Sequence, residues 1–168
     1  MNDFMQEFIG QAIHRIDENT PRIANCLGKL EDGEVWKRPN GSSNSVGNLI
    51  LHLCGNITQY AVSSLGNVPD HRDRDQEFLV EGGWSKEELL DKLTDTVQLA
   101  KKTIQAASLD ELMRKRSVQG FTYSGIGIII HITEHYAYHT GQIAFWTKIL
   151  KNSPLGFYDG IDLNQKNN

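Results

Sequence analysis

Residues 131–143 read HITEHYAYHTGQI, and the spacing of the histidines in this stretch decides how the rest of the chain is read. His131, His135 and His139 recur every four residues, so half of the chain's 6 histidines fall within it. At about 100° per residue, an α-helix places His135 roughly 40° and His139 roughly 80° from His131. Tyr138 and Gln142 fall in the same arc, and Ile128, Trp146 and Ile149 continue it with apolar side chains. The histidines therefore interrupt what is otherwise a core seam, and they are expected to point inward. Burying an unpaired polar group costs about 1–3 kcal/mol, so the ring nitrogens need partners. A divalent cation answers that need by taking neutral imidazole nitrogens as ligands. A hydrogen-bonded structural histidine cluster answers it as well.

Two histidines at i and i+4 lie one above the other on a helix face and can reach one ion. All three cannot, because the ladder rises about 12 Å at roughly 1.5 Å per residue. One adjacent pair is the expected ligand set, with a third ligand from another helix. The candidate is His52, in NLILHLCGN (48–56), at the edge of an apolar face formed by Leu49, Leu53, Ile57 and Tyr60. Asn48, Asn56 and Gln59 lie near it by helical spacing and make one narrow polar stripe.

The remaining chain reads as helices. In the first helix Phe4, Phe8, Ala12, Ile16, Ile23, Leu27 and Leu30 follow helical steps, with Pro21 expected to kink the helix or divide it near Asn19. DGEVWKRPNGSSNS (32–45) is loop-like, and a second helix is expected over about 45–65. A long polar connection, GNVPDHRDRDQEF (66–78), follows. Ser85 with Glu88 forms a capping box for a third helix over about 86–106, and Ser108 with Glu111 opens a short turn. The last long helix spans about 124–151, and the polar tail from about 152 to 168 is expected to be loosely held. No segment shows strand alternation. Four long amphipathic helices and one long crossover predict an all-α four-helix bundle within a single domain, 1–168.

Composition narrows the function classes. A chain of 168 residues with 23% charged residues and a net charge of −4 has no basic excess for nucleic-acid binding. Its longest apolar stretch, IGIII (126–130), is far short of the roughly 18–20 residues of a membrane span. The start, MNDFMQEF, carries no secretory pattern, and the 2 cysteines, Cys26 and Cys54, form no disulfide or zinc-finger framework. A cytoplasmic location is expected. Cys54 projects about 200° around the helix from His52, so packing is its expected role.

HITEH (131–135) also fits the H-x-x-E-H pattern of the inverted zinc proteases. That reading needs a downstream acidic ligand, yet only Asp159 and Asp162 follow Glu134, both in the tail. A closer match exists. HITEHYAYHTGQI resembles the final-helix signature of the DinB-like (DinB/YfiT-like) superfamily, and NLILHLCGN resembles its second-helix histidine motif. RDRDQEF (72–78) is similar to an element of an uncharacterised subgroup. The resemblance covers most of the chain and is specific at the two histidine motifs.

The resemblance implies a four-helix bundle in which His52, His135 and His139 bind a divalent metal, with His131 supporting. Zinc or nickel comes first, with iron or manganese as alternatives. Asn48, Asn56, His131, Tyr138 and Gln142 are the candidates for lining or orienting the site. Relatives include transferases using bacillithiol or similar low-molecular-weight thiols and a thiol-dependent isomerase. The expectation is a metal-dependent thiol S-transferase acting on a small-molecule electrophile, with bacillithiol or a similar thiol as co-substrate. The competing reading is a non-catalytic metal- or small-ligand-binding stress-response protein. The resemblance also implies a homodimer, and no nucleic-acid or membrane partner is expected.

Overall fold

The computed structural model describes residues 3–166. Its first long unit is α1 (Asp3–Asp17) followed by α2 (Asn19–Lys29). The break falls where the proline requires it. Pro21 sits in the first turn of α2, where its missing N–H has no intrahelical role, and Asn19 Nδ2 donates to Arg15 O (2.8 Å) across the junction. A single turn, α3 (Asp32–Val35), leads to the second unit, α4 (Val46–Ile57), which continues without interruption as a π-helix over Thr58–Leu65. Ser45 caps α4 through its hydroxyl, which accepts from the Asn48 N–H, while Asn48 Oδ1 accepts from Ser45 N–H in return.

The long connection carries one short helix, α5 (Arg74–Leu79), capped by Asp73. The third unit is α6 (Lys86–Ala106), starting at the Ser85–Glu88 capping box. After α7 (Leu109–Met113), the fourth unit is α8 (Gly125–Lys151), capped by Ser124 and stopped by Asn152 in the left-handed region at φ 47°.

The expectation of no strands fails at one place. Arg116–Val118 (β1) pairs antiparallel with Phe121–Tyr123 (β2) across a two-residue turn, Gln119 and Gly120, both at positive φ. Strands of three residues are too short to show a two-residue alternation, and Gln-Gly is a weaker turn signal than Asn-Gly.

α4 packs against α6 on one side and α8 on the other, while α1 and α2 lie on α8. Ile23, Leu53, Leu89, Leu93, Ile104, Ile128, Ile129 and Ile143 are fully buried between these units. The architecture is an all-α bundle, and it places α4 and α8 side by side with their histidines facing. The tail is tied down at its start: Leu155 is buried, its carbonyl accepts from Asn25 Nδ2, and Phe157 packs on the core. Residues 158–166 are exposed. Among the described residues, no helix is long and apolar enough to cross a membrane.

Candidate metal centre

The α4–α8 seam brings His52, His135 and His139 together. One ring nitrogen from each lies within 4.8 Å of the others. His52 Nε2 and His135 Nε2 are 2.9 Å apart, and the His52 ring stands 5.0 Å from the His139 ring, edge to face. His131, one turn earlier on α8, stays outside the group. It stacks on Tyr60 (4.0 Å) and on His135 (5.3 Å), and Asn56 Nδ2 donates to its Nε2 at 3.3 Å. Tyr60, in the π-helical segment that follows α4, lies four residues after Asn56 and meets the same ring. The hairpin holds the ring from behind, through Tyr60 Oη donating to Gln119 Oε1 (3.0 Å).

Two of the three imidazoles are oriented by a partner on the far nitrogen. His52 Nδ1–H donates to Glu77 Oε2 at 2.9 Å. His139 Nδ1–H donates to Gln142 Oε1 at 2.6 Å. A carboxylate only accepts, so Glu77 fixes the Nδ1–H tautomer of His52 and leaves the Nε2 lone pair facing the cluster. Arg72 holds Glu77 in turn, through Nε to Oε1 (2.7 Å) and Nη2 to Oε2 (2.8 Å), and its Nη1 donates to Gln59 Oε1 (2.8 Å). Arg72 Nη2 also lies 3.1 Å from His52 Nδ1; as both nitrogens carry hydrogens, this is a contact between two donors that share the Glu77 acceptor.

Electrostatics keep the three histidines of α8 neutral. Burial, reinforced by the neighbouring His139, His52, His131 and Arg72, pushes His135 down to about 3. Burial also lowers His139 to about 4, against the opposing hydrogen bond from Gln142. His131 is lowered by burial too, with Glu134 opposing. Burial alone would raise Glu77, but the hydrogen bonds and charges of Arg72 and His52 outweigh it and hold the carboxyl below its ordinary value. His135 and His139 therefore offer neutral nitrogen donors, and His52 stands beside them against an ionised carboxylate. This is the donor set that suits a divalent transition-metal ion, and the three-histidine group could hold one.

The other candidates separate by position. Asn48 turns its side chain to α5 and not to the rings; its Nδ2 donates to the Glu77 and Val80 carbonyls (3.0 and 2.7 Å), which fastens α5 and so Glu77. Asn56 meets His131, and its Oδ1 is buried without a partner. Tyr138 lies at the rim, 61% exposed, with its ring 5.0 Å from His139. The apolar arc expected to continue above the histidines leaves the core: Trp146 is half-buried and Ile149 is 53% exposed. Together with Leu49, Phe145 and Gln142 they line a cavity of about 420 Å³ against the 39–44 loop. Cys54 is buried away from the histidines, where burial raises its thiol to about 11.

Glu77 and Arg72 are the residues that sequence reasoning missed. A charge run such as RDRDQEF normally lies in solvent, and only the packing of α5 on α4 shows otherwise. One signal was present: Gly55, a turn after His52, where a Cβ would stand 1.8 Å from Glu77 Oε1.

Comparisons agree with this architecture. A family model described as "protein of unknown function (DUF1572)" matches residues 3–157. No curated protein matches the sequence. A conserved protein from Enterococcus faecalis superposes with TM-score 0.68 at 14% identity, over 86% of this chain and 97% of its own. A DinB-like protein from Bacillus cereus gives 0.67 at 14% identity, over 86% and 91%. A mutant of a mycothiol-dependent maleylpyruvate isomerase gives 0.61 at 12% identity, over 80% of this chain and 60% of that one. At these identities the likeness shows the fold alone, and that fold is DinB-like.

Proposed function

Because the chain belongs to the DUF1572 family, whose function is unknown, we propose from the site itself that it is a metal-dependent enzyme. In this reading His52, His135 and His139 hold one divalent ion, and the reaction transfers a low-molecular-weight thiol to a small electrophile. The observation that carries it is the pairing of a closely spaced histidine triad with dedicated acceptors, Glu77 and Gln142, on the far nitrogens of two members. A purely structural cluster gains little from an ionised carboxylate aimed at one imidazole, whereas a metal ligand gains both orientation and basicity. Three protein ligands also leave coordination positions open, as in catalytic sites. The structural likeness to a mycothiol-dependent isomerase supports a thiol as the partner.

When bound, the ion supplies positive charge that favours the thiolate form of a thiol placed beside it. The chain's part is to hold the nitrogens, keep them neutral and shape the approach. Glu77 and Arg72 fix His52; Gln142 fixes His139. His131 and Tyr60 close the inner end by stacking. The cavity beside Gln142, with walls of Leu49, Phe145 and Trp146, gives room for an apolar electrophile. The sulfur forms the new bond to carbon, the leaving group departs with its electron pair, and the thiol proton goes to solvent.

The test follows conjugation of monobromobimane to several thiols by the purified protein, with and without chelator. The expected result is a rate above background that needs both thiol and metal. Background rates for every thiol, with metal bound to the protein, would leave a metal-binding protein without catalysis.

A further inference from the structure

Two guanidinium groups around Phe78, those of half-buried Arg38 and exposed Arg74, have no ion-pair partner among the described residues. Arg38, half-buried, precedes the cavity-lining Pro39, and its Nη2 donates to the Phe78 carbonyl oxygen at 2.7 Å. Arg74 opens α5, with its guanidinium carbon 5.0 Å from the centre of the Phe78 ring. That ring packs 4.9 Å from His52. Among the described residues, neither arginine has a carboxylate within ion-pair distance, whereas Arg72 close by is fully engaged by Glu77 and Gln59.

Two uncompensated cations thus converge on one residue, Phe78, from its carbonyl and from its ring. The chain as a whole carries more acidic than basic residues, 21 against 17, so counter-ions were not scarce. A half-buried guanidinium that keeps only one neutral acceptor retains unused donors, and desolvating them is costly until an anion takes them up. The planar fork of a guanidinium matches a carboxylate, and stacking on Phe78 leaves its in-plane N–H groups free.

We propose that Arg38 and Arg74 together bind the carboxylate of the molecule brought to the histidine cluster, and that this molecule is a carboxylate-bearing low-molecular-weight thiol. The proposal rests on the thiol reading above and names its substrate class. Neither arginine touches a histidine, so their role is selection of the thiol and not retention of metal.

The probe pair is 3-mercaptopropionate and its methyl ester, which differ by the negative charge and one methyl group. Each is titrated, at equal thiolate concentration, into protein loaded with cobalt(II), and the change in cobalt absorption gives the half-saturation point. Wild-type protein should take the acid at a concentration roughly tenfold lower than the ester, the size expected of charge-assisted hydrogen bonds. Arg74→Gln and Arg38→Gln should each reduce that preference, the double variant should abolish it, and ester binding should stay constant throughout. Arg74→Lys should keep part of it. Because Arg74 is exposed and meets the Phe78 ring without an ion pair among the described residues, cobalt stoichiometry and helical circular dichroism should not change in its variants. Equal affinity for acid and ester in the wild type, or parallel loss of both in Arg74→Gln, overturns the inference while leaving the thiol reading in place. A cobalt spectrum that neither thiol moves sinks the thiol reading itself.

Discussion

Each oriented imidazole of the cluster has one nitrogen committed and one facing its neighbours, and the committed side is where single substitutions should be most informative. Replacing His52, His135 or His139 with Ala removes a donor, so metal content of the purified protein should fall from about one ion per chain to a small fraction. His131→Ala should cost far less, because its ring meets Asn56 and Tyr60 and stands outside the triad. Full metal occupancy after loss of His52 would refute the ligand set. Glu77→Gln keeps the shape but offers a neutral acceptor to His52, so affinity should drop by roughly 10–100-fold. That variant also leaves Arg72 without its buried carboxylate, and a competition titration with a chelator separates lost affinity from lost folding. Cys54→Ala should preserve most turnover, since the thiol is buried, raised to about 11 and remote from the triad.

Helices decide which of these side chains meet. α5 is only six residues long, yet it delivers Glu77, and it is fastened through Asn48 to the capped start of α4. Its close approach depends on Gly55, where any Cβ would collide with the Glu77 carboxylate. Gly55→Ala is therefore expected to be destabilising despite the better helix propensity of alanine: overpacking costs about 1–3 kcal/mol against a gain of about 1 kcal/mol. Displacement of α5 should lower metal affinity at the same time. Denaturant melts and chelator competition on the same variant check both, and a stabilised protein with unchanged affinity would contradict the packing described.

Across the whole molecule, the neutral histidines tie stability to pH. His135 and His139 have folded values near 3 and 4, well below the ordinary 6.5, so between these limits the unfolded chain binds protons that the folded chain refuses. Their contribution is complete above about pH 6.5 and is lost as pH falls through about 4 for His139 and about 3 for His135. Glu77, also lowered, acts in the same direction at still more acid pH. Metal-stripped protein should thus show a falling Tm from pH 7 to pH 4.5, and a flat profile would count against buried neutral imidazoles. The homodimer implied by the family resemblance is tested by light scattering across a wide concentration range, where a monomer throughout would rule it out. What the sequence determined alone was local. Apolar period defines the helices, the caps at Ser85 and Ser108 mark where two of them start, Pro21 interrupts the first unit, and four-residue spacing puts the histidines on one face. Spacing along one helix could not say where its neighbours end, so Tyr138 and Ile149 were placed in the seam although they are exposed. Nor could it show that Glu77, 25 residues after His52, folds back onto that ring. Contacts of that kind arise from packing between elements, where charge in a polar loop acquires a buried partner, and only the tertiary structure decides them.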